Sequence, residues 1–465
     1  MTRWTRRTAW TLSAVVGLAG VLGGCGQAAR DGRVHITYWE KWTGFEADAM
    51  QRVVDRFNAS QTGITVHFTS ISGIGRKLLT ATAGGNPPDV AGIWSSLLPS
   101  YAEHGALTPL DEYCARVGIQ AGQYVPIVWK VCQYEGHTWG LPTTPGSTAL
   151  IWNKDLFRRA GLDAERPPRT MAELDEYAER LTQYDAQSNL VHLGFLPTEP
   201  GWWNFAWIYY FGGRVWDETN RITYDSAAGR AMFEWIAGYT RRYGLKALQQ
   251  FSAGFGNFAS PQNAFLAGKV AMVIQGVWMH NFIEKYAPGM EWGAAPFPAV
   301  DGVEPPVVYT EADVLVIPRG APHPEAAFEF IQFVQTQPVM EELCLGQLKA
   351  SPLSSASPAF FQHHPHPYLS VFYDSMFSPR AFSTPSFSIH EEVMREVNIA
   401  VDLVRLGAAR PEEAVRQVQE RSQRALERML RQRARRRKDG GAAAMVHCGE
   451  ASAIRDRGYK REGPP

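Results

Sequence analysis

The sequence predicts an α/β protein, in which β-strands alternate with helices that cover a mainly parallel sheet. The order strand–helix–strand–helix near the start of the chain is typical of such a sheet. The 465 residues suit two or three globular domains or one two-lobed body. The content of 45% hydrophobic and 20% charged residues is that of a soluble protein, and it excludes global disorder and the collagen-like and coiled-coil classes.

The first predicted elements are strands at 34–39, 63–68 and 90–94, with a helix after each of the first two. Thr43 and Glu46 resemble a capping box that begins the first helix. The apolar stripe of this helix, which we expect to face a core, consists of Phe45, Met50, Val53, Val54 and Phe57.

The alternation continues to a last helix that begins at Pro411. Thr170 and Glu173 predict the N-terminal cap of the helix at 171–183. The predicted strands are 148–152, 270–275 and 314–317, and the predicted helices are 154–160, 171–183, 227–243 and 324–335. Beyond the last apolar stripe, residues 434–465 are rich in basic, Gly and Ala residues, which predicts a disordered basic tail.

The first 24 residues read as an export signal. Arg3, Arg6 and Arg7 precede an apolar run at 10–22, which is too short to span a bilayer comfortably. The run ends in Leu22-Gly23-Gly24-Cys25, which resembles the bacterial lipoprotein signal. This resemblance implies that Cys25 becomes the first mature residue and carries a lipid, so that the protein is anchored to the cell membrane and faces the periplasm or the exterior. An ordinary signal peptide with a chance cysteine is the alternative.

The net charge of zero conceals an uneven distribution. Residues 1–24 carry +3 and residues 421–465 carry +8, which leaves −11 for the body between them. An acidic body argues against nucleic acid as a partner.

Export places the cysteines in an oxidising compartment. Cys114 and Cys132 are close in sequence, and we expect a disulfide between them that stabilises the fold by about 3 kcal/mol. Two buried thiols are the alternative. The cysteine spacing matches no zinc or redox motif, and we predict neither a metal nor a cofactor. The histidines of His363-His364-Pro365-His366 are expected to be solvated rather than metal-bound.

Several short segments carry a family resemblance through their order. They are Ile36-Thr37-Tyr38-Trp39, Asn86-Pro87-Pro88-Asp89-Val90, Gly140-Leu141-Pro142 with Ile151-Trp152-Asn153-Lys154-Asp155-Leu156-Phe157, Ala264-Phe265-Leu266-Ala267-Gly268-Lys269-Val270-Ala271-Met272, and Ile317-Pro318 with Ala326-Ala327-Phe328-Glu329-Phe330-Ile331. From about residue 33 to about 430, the chain resembles the extracellular solute-binding proteins of ABC importers, in the sugar-binding group that includes maltose-binding protein. One departure is the pair of acids, Glu311 and Asp313, where the family usually has a small Gly-rich turn.

This resemblance implies a two-lobed, periplasmic-binding-protein-like fold with crossover hinge segments. By analogy, lobe 1 holds 33–142 and 298–336, and lobe 2 holds 143–297 and 337–433. A carbohydrate bound between the lobes would close the hinge, and the closed shape would be recognised by permease subunits in the membrane. We expect a monomer that performs no catalysis.

The high aromatic content, with 15 Trp, suits a carbohydrate site. A flat indole covers the C–H face of a pyranose, and charged or amide groups pair with its hydroxyls. Such residues follow predicted strands or lie in loops, and ligands bind at the carboxyl ends of parallel strands. The expected ligand-binding residues are Trp39, Glu40, Trp42, Trp94, Trp202, Trp203, Trp278, Glu311 and Arg380. We expect at most one of the neighbours Trp202 and Trp203 to face the cleft.

Two other functions remain open at this point. The same fold could bind a polyamine, because Glu40, Glu311 and Asp313 accompany the tryptophans. A secreted glycoside hydrolase would need two catalytic carboxylates, for which Glu40 and Glu311 are candidates. The sequence contains no nucleophile elbow, P-loop or His-Glu-x-x-His motif.

Overall fold

The computed structural model describes residues 32–455 except Glu218 and Pro305, and it describes side chains as far as Arg436. The predicted signal segment and the lipidation residue Cys25 lie outside the described residues. Within the described part, no helix is both long enough and apolar enough to cross a membrane.

The strands follow the predicted order closely. They are β1 (Val34–Glu40), β2 (Ile64–Ser70), β3 (Val90–Trp94), β4 (Gln133–Tyr134), β5 (His137–Thr138), β6 (Leu141–Asn153), β7 (Gln183–Tyr184), β8 (Leu190–His192), β9 (Met272–Gly276), β10 (Trp292–Ala295), β11 (Val308–Val316) and β12 (Ala381–Phe382).

The helices alternate with them. They are α1 (Gly44–Ser60), α2 (Ile74–Ala83), α3 (Leu98–Glu103), α4 (Asp111–Val117), α5 (Pro126–Lys130), α6 (Lys154–Arg159), α7 (Met171–Leu181), α8 (Trp207–Tyr210), α9 (Ala227–Tyr243), α10 (Leu245–Ser252), α11 (Met279–Tyr286), α12 (Pro324–Val334), α13 (Gln337–Gln347), α14 (Pro358–His363), α15 (Leu369–Ser375), α16 (His390–Arg405) and α17 (Pro411–Arg455).

The helix caps match the prediction at one site and differ at another. Thr170 caps α7, because its hydroxyl accepts the Glu173 backbone N–H at 3.1 Å. Thr43 occupies the cap position of α1, but its side chain makes no cap hydrogen bond. The predicted capping box with Glu46 is therefore absent, and Glu46 instead binds Lys349 at 2.7 Å.

One sheet runs through the molecule in the order β10-β6-β11-β3-β1-β2, with β9 beside β6 and β12 beside β11. β1 pairs in parallel with β2 and β3, as predicted. β6 pairs antiparallel with β9, β10 and β11. The sheet is thus mixed rather than mainly parallel, because β6 and β11 traverse it in opposite directions.

The long strand β6 joins two hydrophobic cores. Its residues are buried along its whole length, so both of its faces are covered. Ala149 and Ile151 point into a first core, built around β1, β3, α1 and α12, whereas Leu150 and Trp152 point into a second core, built around α7, α9, α16 and α17. Successive side chains of a strand point to opposite faces, so a single strand can serve both cores.

The position of α13 differs from the predicted lobe boundary at 337. Met340 and Leu343 of α13 belong to the first core, and α13 packs along α1. Arg56 of α1 also forms an ion pair with Glu342. The physical reason is the packing of α13 on α1, which places it in the first core.

The last helix, α17, continues where a disordered tail was predicted from residue 434. Its apolar stripe packs in the second core as expected. Arg433 then forms an ion pair with Glu103 at 2.9 Å, and Arg436 donates to the Glu103 backbone carbonyl at 2.7 Å. These contacts hold α17 against Glu103 as far as Arg436. The disorder of the tail stays a prediction, and residues 456–465 lie outside the described residues.

Cys114 and Cys132, between which we expect a disulfide, are both buried and carry free thiols in the structure. The Cys132 thiol donates to the Val128 carbonyl at 3.4 Å. Burial raises the pKa of the Cys114 thiol to about 11, so it is un-ionised at neutral pH. This arrangement matches the alternative of two buried thiols, and the disulfide stays a prediction.

Three buried histidines predict that acid destabilises the fold. Burial lowers the pKa of His364 to about 4, of His366 to about 3 and of His390 to about 4. The geometry agrees, because Nδ1 of His364 and Nδ1 of His366 each accept a backbone N–H, from His366 and Tyr368, and must be unprotonated to do so.

In the unfolded chain these rings bind protons below about pH 6.5, whereas the folded chain resists protonation down to about pH 4. The contribution of these neutral histidines to the free energy of unfolding is therefore fully present above about pH 6.5, and it is lost as the pH falls toward 4. We expect the free energy of unfolding, measured by urea denaturation, to drop by about 2 kcal/mol per histidine between pH 7 and pH 5. His366→Phe should flatten this dependence, while exposed His104→Gln should leave it unchanged. An equal free energy at both pH values would contradict the prediction.

Candidate ligand-binding cleft

A cavity of about 560 Å³ lies where the β1–α1 connection, the end of β3 and the middle of β11 meet the loops before α8 and α11. This volume is within the usual range of small-molecule sites. Its lining contains the side chains of Lys41, Trp42, Phe45, Glu46, Trp94, Thr144, Trp202, Trp203, Phe258, Trp278, Phe282, Glu311, Asp313 and Lys349.

Most of the predicted ligand-binding residues meet in this cleft. They are Trp42, Trp94, Trp202, Trp203, Trp278 and Glu311. Trp94 and Trp202 keep 43% and 42% of their surface exposed, which is unusual for so large an apolar side chain. Both Trp202 and Trp203 line the cleft, contrary to the expectation that only one would, because their rings are turned 85° to each other.

Three predicted residues lie elsewhere. Trp39 packs against the first core. Glu40 is fully buried, because it shares the inward face of β1 with Ile36 and Tyr38. Arg380 lines a separate groove of about 450 Å³, because the crossover segment that carries it lies against β11 at Val308 and Tyr309.

Glu40 supports the cleft from behind. Its carboxylate accepts hydrogen bonds from the Tyr38 hydroxyl at 2.6 Å and from the Lys41 backbone N–H at 2.7 Å. Gly92 makes room for it, since a Cβ there would lie 1.7 Å from a carboxylate oxygen of Glu40. The Glu40–Glu311 pair proposed for a hydrolase is therefore not presented together to a ligand.

Sequence reasoning missed several lining residues. Phe45 was expected in the core but is 43% exposed in the cleft. Phe258 and Phe282 add two further rings. Lys349 has no local signal, because only the packing of α13 on α1 carries it to the cleft. Lys41 could have been found from the sequence, because it lies between Glu40 and Trp42, which were both predicted to bind ligand.

A buried ion-pair network forms the polar wall of the cleft. Asp313 binds Lys41 at 2.8 Å and Lys349 at 3.3 Å, and it accepts from the Thr144 hydroxyl at 3.3 Å. Lys41 also binds Glu40 at 3.2 Å. Burial acts to raise the pKa of Asp313, but the two lysines outweigh it and hold the pKa below its usual range. The network is therefore charged at neutral pH.

Glu311 stands outside this network. Its carboxylate accepts a hydrogen bond from the Tyr309 hydroxyl at 3.1 Å, and no ion pair with it is found among the described residues. Burial, together with the nearby charge of Asp313, raises the pKa of Glu311 to about 7.

Trp278 lies against the backbone of two glycines. A Cβ on Gly146 would come within 2.6 Å of the Trp278 ring, and one on Gly276 within 2.4 Å. Only glycine at these positions lets the indole rest flat on the sheet. Trp203 lies beside it, with a centroid distance of 6.2 Å.

We expect Gly146→Ala to displace the Trp278 ring, because the added methyl group occupies its place. The near-UV circular dichroism of the tryptophans should change, and the free energy of unfolding should fall by about 1–3 kcal/mol. Gly122→Ala is the control, since its added methyl group meets no atom within 4 Å. Identical spectra for the two variants would contradict the proposed contact.

Within the described residues, no group of three or more His, Cys, Asp or Glu side chains is arranged to hold a metal ion. The chemistry of the cleft therefore consists of aromatic faces, hydroxyls, carboxylates and two lysines.

Solved structures that are similar to this chain include proteins whose names state that they bind sugars. The mannobiose-bound structure of CpMnBP1 has a TM-score of 0.73 and 26% identity, and the match covers 84% of this chain and 99% of that chain. The sugar-binding protein MalE from the phytopathogen Xanthomonas citri has a TM-score of 0.70 and 22% identity, over 85% of this chain and 98% of that chain. These two structural similarities confirm the predicted two-lobed α/β fold.

Among sequence relatives, a maltotriose-binding protein from Pyrococcus abyssi (strain GE5 / Orsay) is 24% identical over 324 residues. The match covers 69% of this chain and 66% of that protein, slightly less than two thirds of its length. A family model described as bacterial extracellular solute-binding protein matches residues 45–341, which are more than half of the chain. The chain therefore belongs to the bacterial extracellular solute-binding protein family.

Proposed function

We propose that this protein captures a mono- or oligosaccharide in the cleft and delivers it to the permease of an ABC importer without chemical conversion. One observation carries the proposal: aromatic side chains from several parts of the chain converge on a single cavity that also holds an ordered set of charged groups.

The aromatic rings supply what the apolar face of a sugar needs. Trp94, Phe45, Trp202 and Phe258 all line the cavity, and the ring centroids of Trp202 and Phe258 are 4.7 Å apart. Trp94, Phe45 and Trp202 are each more than 40% exposed, and burying them against a sugar would be favourable.

The polar wall supplies partners for the hydroxyls. Lys41 and Lys349 are held by carboxylates and need not reorganise when a ligand binds. Prearranged donors and acceptors favour binding because less ordering is required. The names of the mannobiose-bound and maltotriose-binding relatives support a saccharide as the ligand.

The route to the permease requires export. We propose that residues 1–24 are removed and that Cys25 carries a lipid which anchors the protein to the cell membrane. Labelling of bacteria with a radioactive fatty acid tests this step: wild-type protein should incorporate the label and Cys25→Ser should not. Equal labelling would refute the anchor.

A thermal-shift panel tests the ligand class. Mannose, mannobiose, maltotriose and glucose should include at least one sugar that raises the thermal midpoint, because a ligand at 100 times its Kd stabilises the folded state by about 2.7 kcal/mol. Spermidine and glycerol 3-phosphate serve as cationic and anionic controls. A shift with either control and with no sugar would reject the carbohydrate function, and release of shorter sugars during incubation would reject binding without conversion.

A further inference from the structure

The cleft contains more carboxyl groups than lysines. Glu46, Glu311 and Asp313 line it together with Lys41 and Lys349, and the buried Glu40 lies directly behind. Each lysine is held between two carboxylates: Lys41 between Glu40 and Asp313, and Lys349 between Glu46 and Asp313. Both cations are thus already neutralised.

Glu311 is the carboxyl group that this arrangement leaves over. Its contact within the described chain is the Tyr309 hydroxyl at 3.1 Å, and neither lysine lies within ion-pair distance of it. It faces Gly146 across the β11–β6 pairing, and the Trp278 ring covers Gly146. Its side chain therefore lies at the floor of the cleft, beside an indole.

The tryptophans around the cleft differ in whether a lysine lies over them. The Lys41 ammonium already lies over Trp42 at 4.7 Å and over Trp94 at 5.5 Å. Within the part of the chain that the structure describes, no cation lies over Trp203 or Trp278. A positive group bound to Glu311 would meet the half-buried Trp278 ring, and indole rings attract cations.

We propose that the saccharide bound in this cleft carries an amino group and that Glu311 is the anionic partner of its ammonium. This inference rests on the proposed carbohydrate function and names its substrate class. The ring faces of an amino sugar would stack on the tryptophans, its hydroxyls would meet the lysine–carboxylate network, and its ammonium would pair with Glu311.

The energetics of Glu311 agree with this assignment. Burial and the nearby charge of Asp313 raise its pKa to about 7, because the Tyr309 hydroxyl and the more distant Lys349 and Lys41 compensate only part of these effects. An ammonium at hydrogen-bond distance would supply the missing charge and lower that pKa. At pH 7, ligand binding should therefore release part of a proton from Glu311 to the buffer.

Titration calorimetry at pH 7 tests the proposal with sugars matched in stereochemistry. Glucose, galactose and mannose are each compared as the hydroxyl, amino and N-acetylamino forms, and the β-1,4-linked glucosamine disaccharide is compared with cellobiose. We expect at least one amino form to bind about tenfold more tightly than its matched neutral forms. Repeating the titration in two buffers of different ionisation heat should reveal the released proton.

Variants assign the effect to Glu311. Glu311→Gln should lose the preference for the amino form over its matched neutral forms and should release no proton. Glu391→Gln, an exposed acid in the first turn of α16, should keep both. The thermal midpoint of each variant shows that it is folded, and the wild-type comparison stands by itself if Glu311→Gln does not fold.

The outcomes separate the two proposals. Equal affinity for amino and hydroxyl forms, or a preference that survives Glu311→Gln, overturns the amino-sugar inference and leaves the carbohydrate function intact. If the protein binds none of these sugars and none of the sugars in the thermal-shift panel, both proposals are overturned.

Discussion

Replacement of Asp313 by alanine is expected to lower the free energy of unfolding by about 3–5 kcal/mol, the usual effect of removing one partner from a buried ion pair. Asp313 binds both Lys41 and Lys349, whose side chains are only 4% and 8% exposed. Without it, two buried ammonium groups would lie near each other with fewer carboxylates to neutralise them. Urea denaturation of the wild type and the variant at pH 7 measures the difference.

An exposed ion pair is the matched control for Asp313. Glu234 and Arg241 pair on the surface of α9 with side chains 55% and 58% exposed, and Glu234→Ala should change the free energy of unfolding by less than about 1 kcal/mol. If Asp313→Ala changes stability no more than Glu234→Ala does, the network is not structurally required.

Replacement of Trp278 by alanine is expected to weaken sugar binding by about 30-fold, corresponding to about 2 kcal/mol, the level at which a buried aromatic anchor becomes a hot spot. Trp278 lies half-buried at the floor of the cleft, flat on Gly146 and Gly276. Its removal deletes the platform for a pyranose but leaves both cores largely intact. The sugar found in the thermal-shift panel is the probe, and its Kd is measured by calorimetry.

Trp292 separates binding from folding. It is buried in the first core on β10 and does not line the cleft. We expect Trp292→Ala to lower the free energy of unfolding by about 3–5 kcal/mol while the remaining folded protein keeps its sugar affinity. The reverse pattern, with Trp278→Ala unfolding the protein and Trp292→Ala losing ligand, would place Trp278 in the core instead of the site.

Local sequence patterns were sufficient for the main strands and helices, and they pointed to several residues that line the cleft. The predicted strand 90–94 and helix 227–243 have the bounds that the structure gives β3 and α9. Trp94 lines the cleft because it ends a strand, and its contact with a ligand stays a prediction. Such predictions succeed where the period of apolar residues and the end of an element decide a side chain's position.

The prediction errors occur where a distant part of the chain determines the position of a side chain. Glu40 follows the strand period of two and is buried with Tyr38, but the glycine that accommodates its carboxylate is on β3. Phe45 has the spacing of a core residue, yet it faces the cleft. The lobe boundary at 337 stays a prediction, but the packing of α13 on α1 could not be foreseen, because it depends on their surfaces and not on the intervening sequence.

By itself, the sequence determined the α/β class, the order of the main elements and the family, because these depend on local periodicity and on short segments in a recognisable order. Only the tertiary structure decided which charges are neutralised. Lys349 reaches Glu46 and Asp313 through long-range packing, and this contact leaves Glu311 as the carboxyl group without a cation. Charge pairing depends on distances between atoms far apart in the chain, and no local pattern encodes those distances.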